Sequence, residues 1–182
     1  MSSQRTDNSK FYEKVKMRLA LSEDGTRVLD CYHGNGDIWE YIKKRKKVDV
    51  LGIEKEKGKG VNNLYGDCLK IIPCLDLKKF DIIDVDCWGF PDKALLLIFN
   101  GKPKRGTIVF YTLIQSGMKR CPDYLLKNIG ITKKMINLCS TIFSHLAFDA
   151  FKNMLYKNNI KEIYDLAYME KSIKHYGYFI IA

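Results

Sequence analysis

The chain of 182 residues carries a formal net charge of +10 and is 46% hydrophobic and 12% aromatic. That length suits one folded unit with a sizeable core. No apolar run approaches the roughly 20 residues of a membrane span, and Met1-Ser2-Ser3-Gln4-Arg5-Thr6 lacks the apolar core of a secretory leader, so a cytoplasmic location is expected.

The cysteines at positions 31, 68, 74, 87, 121 and 139 form no Cys-x-x-Cys pair and read as reduced, mostly buried thiols. The histidines at 33, 145 and 175 are scattered, so no metal site is expected. The positive charge favours an anionic partner, nucleic acid being the commonest large one; the alternative is a lysine-rich surface without specific meaning.

Residues 8–21 have the spacing of an amphipathic helix capped near Asn8 or Ser9, with Phe11, Val15 and Leu19 on one stripe. Glu23-Asp24-Gly25 closes this N-terminal segment (1–24), and the core unit (25–182) follows. Val28-Leu29 reads as a buried strand, succeeded by Asp30 and a loop with glycines at 34 and 36. Asp37 to Ile42 has apolar residues at helical spacing. The run Lys43-Lys44-Arg45-Lys46-Lys47 suits that helix's C-terminus and should lie away from the glycine loop.

Val48–Ile53 is a second strand with Glu54 at its end, and Asn63-Leu64-Tyr65 a short third one running into Gly66-Asp67-Cys68. Helical or irregular chain reaches Lys79. Phe80–Val85 is a fourth strand leading into Asp86-Cys87-Trp88-Gly89, and a helix over 92–100 follows. Gly106–Leu113 is a fifth strand, 114–132 a loop carrying Lys119, Arg120 and Lys127, and 132–157 a long helix. Ile160–Ala182 reads as two strands with a turn near Glu170-Lys171; with no helix between them they should be antiparallel. The expected fold is α/β: a Rossmann-like, mostly parallel seven-stranded sheet with helices on both faces and a C-terminal antiparallel hairpin.

In such a sheet, ligands bind outside the C-terminal ends of the strands. Asp30 and the 34–36 loop end strand one, Glu54 ends strand two, Asp67 ends strand three, and Asp84 and Asp86 end strand four. Glycines let backbone approach a ligand, and a helix N-terminus aims free N–H groups at it. A carboxylate at the end of strand two can accept both hydroxyls of a ribose diol. The glycine pattern alone also fits an ordinary strand-to-helix turn. Trp39 stands where a dinucleotide fingerprint requires a third small residue, which counts against NAD or FAD.

The Asp-x-x-x-Gly-x-Gly form of Asp30, Gly34 and Gly36 resembles the first motif of class I S-adenosylmethionine-dependent methyltransferases. That resemblance implies S-adenosylmethionine as cofactor and makes Asp30, Tyr32, Gly34, Asn35, Gly36, Glu54, Lys55, Asp67, Cys68 and Asp84 the candidate cofactor-binding set, with Asp67 near the adenine amino group. Asp84-Val85-Asp86-Cys87-Trp88-Gly89 resembles the Asp-x-Asp-Pro-Phe-Gly signature of the tRNA guanine-N2 dimethyltransferases, with Cys87 in place of proline and Trp88 in place of phenylalanine. It implies methylation of an exocyclic amino group of a base in RNA or DNA, with Asp84, Asp86 and Trp88 as the catalytic candidates. Asp86 would hold the amino group and Trp88 would stack on the base. The alternative for Trp88 is a core aromatic packed under the loop.

A rival reading makes Cys87 a nucleophile, as in cytosine-C5 methyltransferases, although an adjacent carboxylate raises a thiol's pKa. A small-molecule or protein methyltransferase and a non-catalytic cofactor-binding module are the other readings. A chain this short leaves target recognition to the N-terminal segment, the 114–132 loop or a partner protein.

Overall fold

The computed structural model describes residues 10–59, 63–115, 121–138, 140–169 and 173–182. The strands are β1 (Arg27–Asp30), β2 (Asp49–Glu54), β3 (Asn63–Tyr65), β4 (Ile82–Val85), β5 (Ile108–Gln115), β6 (Ile163–Met169) and β7 (Ile173–Ile180). They form one sheet in the order β3-β2-β1-β4-β5-β7-β6. The first five run parallel; β7 is antiparallel to β5 and β6 antiparallel to β7. The expected α/β sheet with its closing hairpin is therefore present.

Alternation along the central strands splits the core between two faces. Val28, Ile82 and Phe110 pack on one side with Val15 of α1 (Phe11–Leu21) and with Trp39 and Ile42 of α2 (Asp37–Lys43). Leu29, Ile83 and Val109 pack on the other with Leu95 and Ile98 of α4 (Asp92–Asn100) and with Phe151 and Leu155 of α7 (Ser140–Lys157). A short α3 (Cys68–Ile71) leads toward β4. No helix among the described residues is long and apolar enough to cross a membrane.

Several boundaries differ from expectation. α1 begins at Phe11, with left-handed Lys10 preceding it and no side-chain cap; Asn8 and Ser9 lie outside the described residues. β5 extends to Gln115, because β7 pairs with it along its whole length. The stretch read as a 114–132 loop contains α5 (Asp123–Lys127), nucleated after Pro122 and held down by buried Leu125 and Leu126. Lys119, Arg120 and the Glu170-Lys171 turn lie outside the described residues. The long helix is described as α6 (Lys133–Leu138) and α7, with Cys139 between them outside the described residues.

The basic run after α2 has a local use. The ammonium of Lys46 donates to the carbonyls of Leu19 (2.8 Å) and Ser22, which end α1 and lack partners within the helix. None of residues 43–47 lines the cleft described next.

Candidate functional site

A cleft of about 450 Å³ opens at the C-terminal ends of β1, β2 and β4. Asp30, Tyr32, Gly34, Asn35, Gly36, Glu54, Lys55, Asp84, Asp86 and Trp88 line it, together with Lys14, His33, Cys87, Thr112 and Tyr176. Asp67 does not: its carboxylate accepts the Leu69 N–H (3.0 Å) and caps α3. Cys68 is buried beside it and pairs with the Tyr32 hydroxyl.

The glycine loop is built around His33. Its Nδ1 meets Asp30 Oδ2 at 3.0 Å, and Asp30 Oδ1 accepts the Tyr32 N–H at 3.2 Å. The ring lies against two glycines. A Cβ at Gly36 would stand 2.4 Å from His33 Nε2, and one at Gly52 would stand 2.6 Å from its Cγ. Gly36 also has φ 78°, in the left-handed region. Burial raises the Asp30 carboxyl to about 6, against the lowering hydrogen bond from His33. For His33, burial opposes protonation, but the hydrogen bond and charge of Asp30 prevail and raise the imidazole above its ordinary value.

Glu54 closes the loop from the next strand. Its Oε2 accepts the Gly34 N–H and its Oε1 the Glu56 N–H, both at 2.8 Å. Each oxygen keeps a second lone pair for a ligand.

At the other end of the cleft, α1 meets β4 through two ion pairs. Arg18 grips Asp84 with two hydrogen bonds, Nε to Oδ2 at 2.6 Å and Nη2 to Oδ1 at 2.8 Å. The Trp39 indole N–H adds a third at 2.9 Å. Side-chain exposure of this pair is 3% and 2%. Asp84 is thus the buried anchor of α1, with both oxygens engaged. Lys14 Nζ contacts Asp86 Oδ2 at 2.7 Å and Oδ1 at 2.9 Å, and Thr112 donates its hydroxyl to Asp86 Oδ1. Burial would raise the Asp86 carboxyl, but the charges of Lys14 and Arg18 and the hydrogen bonds of Lys14 and Thr112 hold it below the usual carboxylate range.

Trp88 is 67% exposed at the cleft, so it is no core aromatic. Cys87 is buried, and its Sγ donates to the Thr112 carbonyl at 3.6 Å. Burial and then the Asp86 charge push this thiol well up, the opposite of an activated nucleophile.

His33, Lys14, Arg18, Thr112 and Tyr176 were not singled out by sequence reasoning. A signal for two of them existed. Lys14 and Arg18 are four apart on a helix and Asp84 and Asp86 two apart leaving a strand, so each pair shares a face and the charges match one to one. Thr112 and Tyr176 carried no such signal, since β5 and β7 bring them in from distant sequence.

The strand order, the reversed seventh strand and a cleft at the ends of β1, β2 and β4 define the class I S-adenosylmethionine-dependent methyltransferase fold. The model of the family described as methionine biosynthesis protein MetW matches residues 13–97, from α1 through most of α4. Among solved structures, a possible exported protein from Bordetella parapertussis is similar at TM-score 0.60 and 9% identity, covering 95% of this chain and 67% of that one. The phosphoethanolamine N-methyltransferase 2 of Haemonchus contortus, in complex with phosphomonomethylethanolamine and S-adenosylhomocysteine, has TM-score 0.57 and 11% identity; 95% of this chain and 53% of that one are covered. A SAM-dependent methyltransferase from Archaeoglobus fulgidus has TM-score 0.55 and 13% identity, with 95% and 97% covered. No curated protein matches the sequence.

Proposed function

We propose that the protein is an S-adenosylmethionine-dependent methyltransferase acting on an amino nitrogen. One observation carries the reading. In the cleft that also holds Glu54 and the glycine loop, a carboxylate at the end of β4, Asp86, grips an amino group, that of Lys14, with both oxygens. The donor set suits the cofactor. Glu54 retains acceptor capacity for a vicinal diol, and the 34–36 glycine loop lines the same cleft beside it. When bound, the cofactor supplies an electrophilic methyl group.

The chain's own part is positional. Asp86 accepts N–H groups of the acceptor and turns the nitrogen lone pair toward the donor, a proximity effect. A carboxyl held below its usual range is a poor proton sink, so it orients the nitrogen and the proton leaves to water. For the acceptor itself, exposed Trp88 offers a stacking plane for a nucleic-acid base, which supports the base amine implied by the strand-four resemblance. The +10 charge is in keeping with a nucleic-acid partner.

Calorimetry with S-adenosylmethionine and S-adenosylhomocysteine tests the reading. Parent protein should bind both. Glu54→Ala should bind about 10- to 100-fold more weakly, for a charged hydrogen bond worth about 1.5–3 kcal/mol. Labelled methyl transfer to RNA, DNA, protein and small amines then identifies the acceptor. Absence of heat with the parent, or equal affinity in Glu54→Ala, overturns the assignment.

A further inference from the structure

We infer that Asp86, Thr112 and Tyr176 form a binding site for an aliphatic ammonium group, now filled by the side chain of Lys14, and that a ligand enters the acceptor position by displacing it. The inference deepens the amino-methyltransferase reading and rests on it for the word acceptor, though not for the site.

Three contacts define the subsite. The Asp86 carboxylate takes the ammonium on both oxygens, at 2.7 and 2.9 Å. The Tyr176 ring lies under the same nitrogen, 4.7 Å from its centroid, in cation–π geometry. Thr112 donates to Asp86 Oδ1 and so fixes the carboxylate. A carboxylate with an aromatic face is a recognition set for an alkylammonium. The face of Tyr176 at this site is the one that the Lys14 ammonium now covers, so a ligand that displaces Lys14 meets the carboxylate and the ring together.

The two ion pairs between α1 and β4 divide the work. Arg18 and Asp84 anchor the helix, and Arg18 is not among the residues that line the cleft. Lys14 lines the cleft, and its charge sits at the end of a flexible four-carbon stem. A rotation of that stem frees Asp86 while the Arg18 pair still holds α1. The four charges Lys14, Arg18, Asp84 and Asp86 cancel; with a neutral ligand in place of Lys14, the half-buried Asp86 would keep only the longer Arg18 contact at 3.9 Å and the site would carry a net negative charge. A cation replacing it restores the balance. This subsite therefore favours, over the base amine that Trp88 could stack, an aliphatic amine that arrives charged and gives one proton to water before its lone pair can take a methyl group.

Two arms test this, neither needing the cofactor. In Lys14→Ala, the hole left beyond Cβ is the length of n-propylammonium. That cation should stabilise the variant saturably in thermal melts, n-propanol should not, and Lys14→Ala/Asp86→Asn should lose the response. In the parent protein, Lys14 should acetylate slowly with an amine-directed reagent read by peptide mass spectrometry, and saturating n-propylammonium should accelerate Lys14 several-fold over other lysines. Acceleration by nucleosides and not by n-propylammonium overturns the inference in favour of a base amine. No response to n-propylammonium in the parent overturns it in favour of a fixed structural ion pair, whatever Lys14→Ala does. Both results stand apart from calorimetry with S-adenosylmethionine, so failure of the methyltransferase reading is separately visible.

Discussion

Arg18→Met tests the architecture on which the site depends. The substitution keeps an unbranched stem on α1 and removes the guanidinium. Asp84, whose side chain is 2% exposed, then retains the Trp39 indole N–H as its donor in place of three hydrogen bonds. Breaking one partner of a buried ion pair costs about 3–5 kcal/mol, because a carboxylate is left in a low-dielectric site without its counter-charge. For a domain of this size that corresponds to a fall in Tm of roughly 6–20 °C, at about 2–4 °C per kcal/mol. The same pair is held together from the other side: the charge and hydrogen bond of Asp84 outweigh burial and raise the Arg18 guanidinium above its already high value. Urea denaturation should show the loss as a shifted midpoint with an unchanged slope. In a double-mutant cycle, Arg18→Met/Asp84→Leu should be clearly more stable than the two single losses summed, since no charge remains buried. A single-variant loss below about 1 kcal/mol, or a coupling below about 0.5 kcal/mol, would refute the claim that Asp84 anchors α1.

Gly36→Ala should disrupt the loop from two directions, a left-handed φ of 78° and a Cβ 2.4 Å from His33 Nε2; the expected result is a lower Tm, and cofactor binding, where calorimetry detects it in the parent, should weaken as well. The pair His33 and Asp30 should make stability depend on pH. Both values are raised in the folded protein, Asp30 to about 6, so the folded state holds protons more tightly than the unfolded chain. The Asp30 contribution is present below its ordinary value near 3.8 and is lost as pH rises through about 6. That of His33 is present below its ordinary 6.5 and is lost as pH rises through its raised folded value. The stability of the parent should thus fall from pH 6 to pH 8, and a stability that rises over this range would contradict the assignment.

Much of the architecture was legible because it is written in local pattern. Val28-Leu29, Ile82-Ile83 and Val109-Phe110 are apolar on both faces, which is what strands covered on both sides require, and glycine-rich or acidic turns punctuate them. The closing hairpin followed from two strands with no room for a crossover helix. Asp30, Glu54 and Asp86 could be placed at the cleft because strand ends in a parallel sheet point one way, so position along a strand is position relative to the ligand. At Asp67 the same position carries a second role. A residue at a strand end that also precedes a helix can spend its carboxylate as an N-cap, and the chain alone does not say which.

Only the tertiary structure decided what the carboxylates of β4 do. Asp84 and Asp86 look equivalent in sequence, two residues apart and on one face, yet one is sealed under Arg18 and Trp39 and the other faces the cleft with Lys14. That division depends on how far α1 slides along β4, a matter of packing Val15 against Val28 and Phe110, which leaves no periodic trace. His33 likewise reads as an isolated histidine until β2 brings Gly52 against its ring. Secondary structure is set by interactions within a few residues, and those are visible in order along the chain. The partner of a charge is set by contacts between residues 66 and 72 positions apart, and folding alone brings them together.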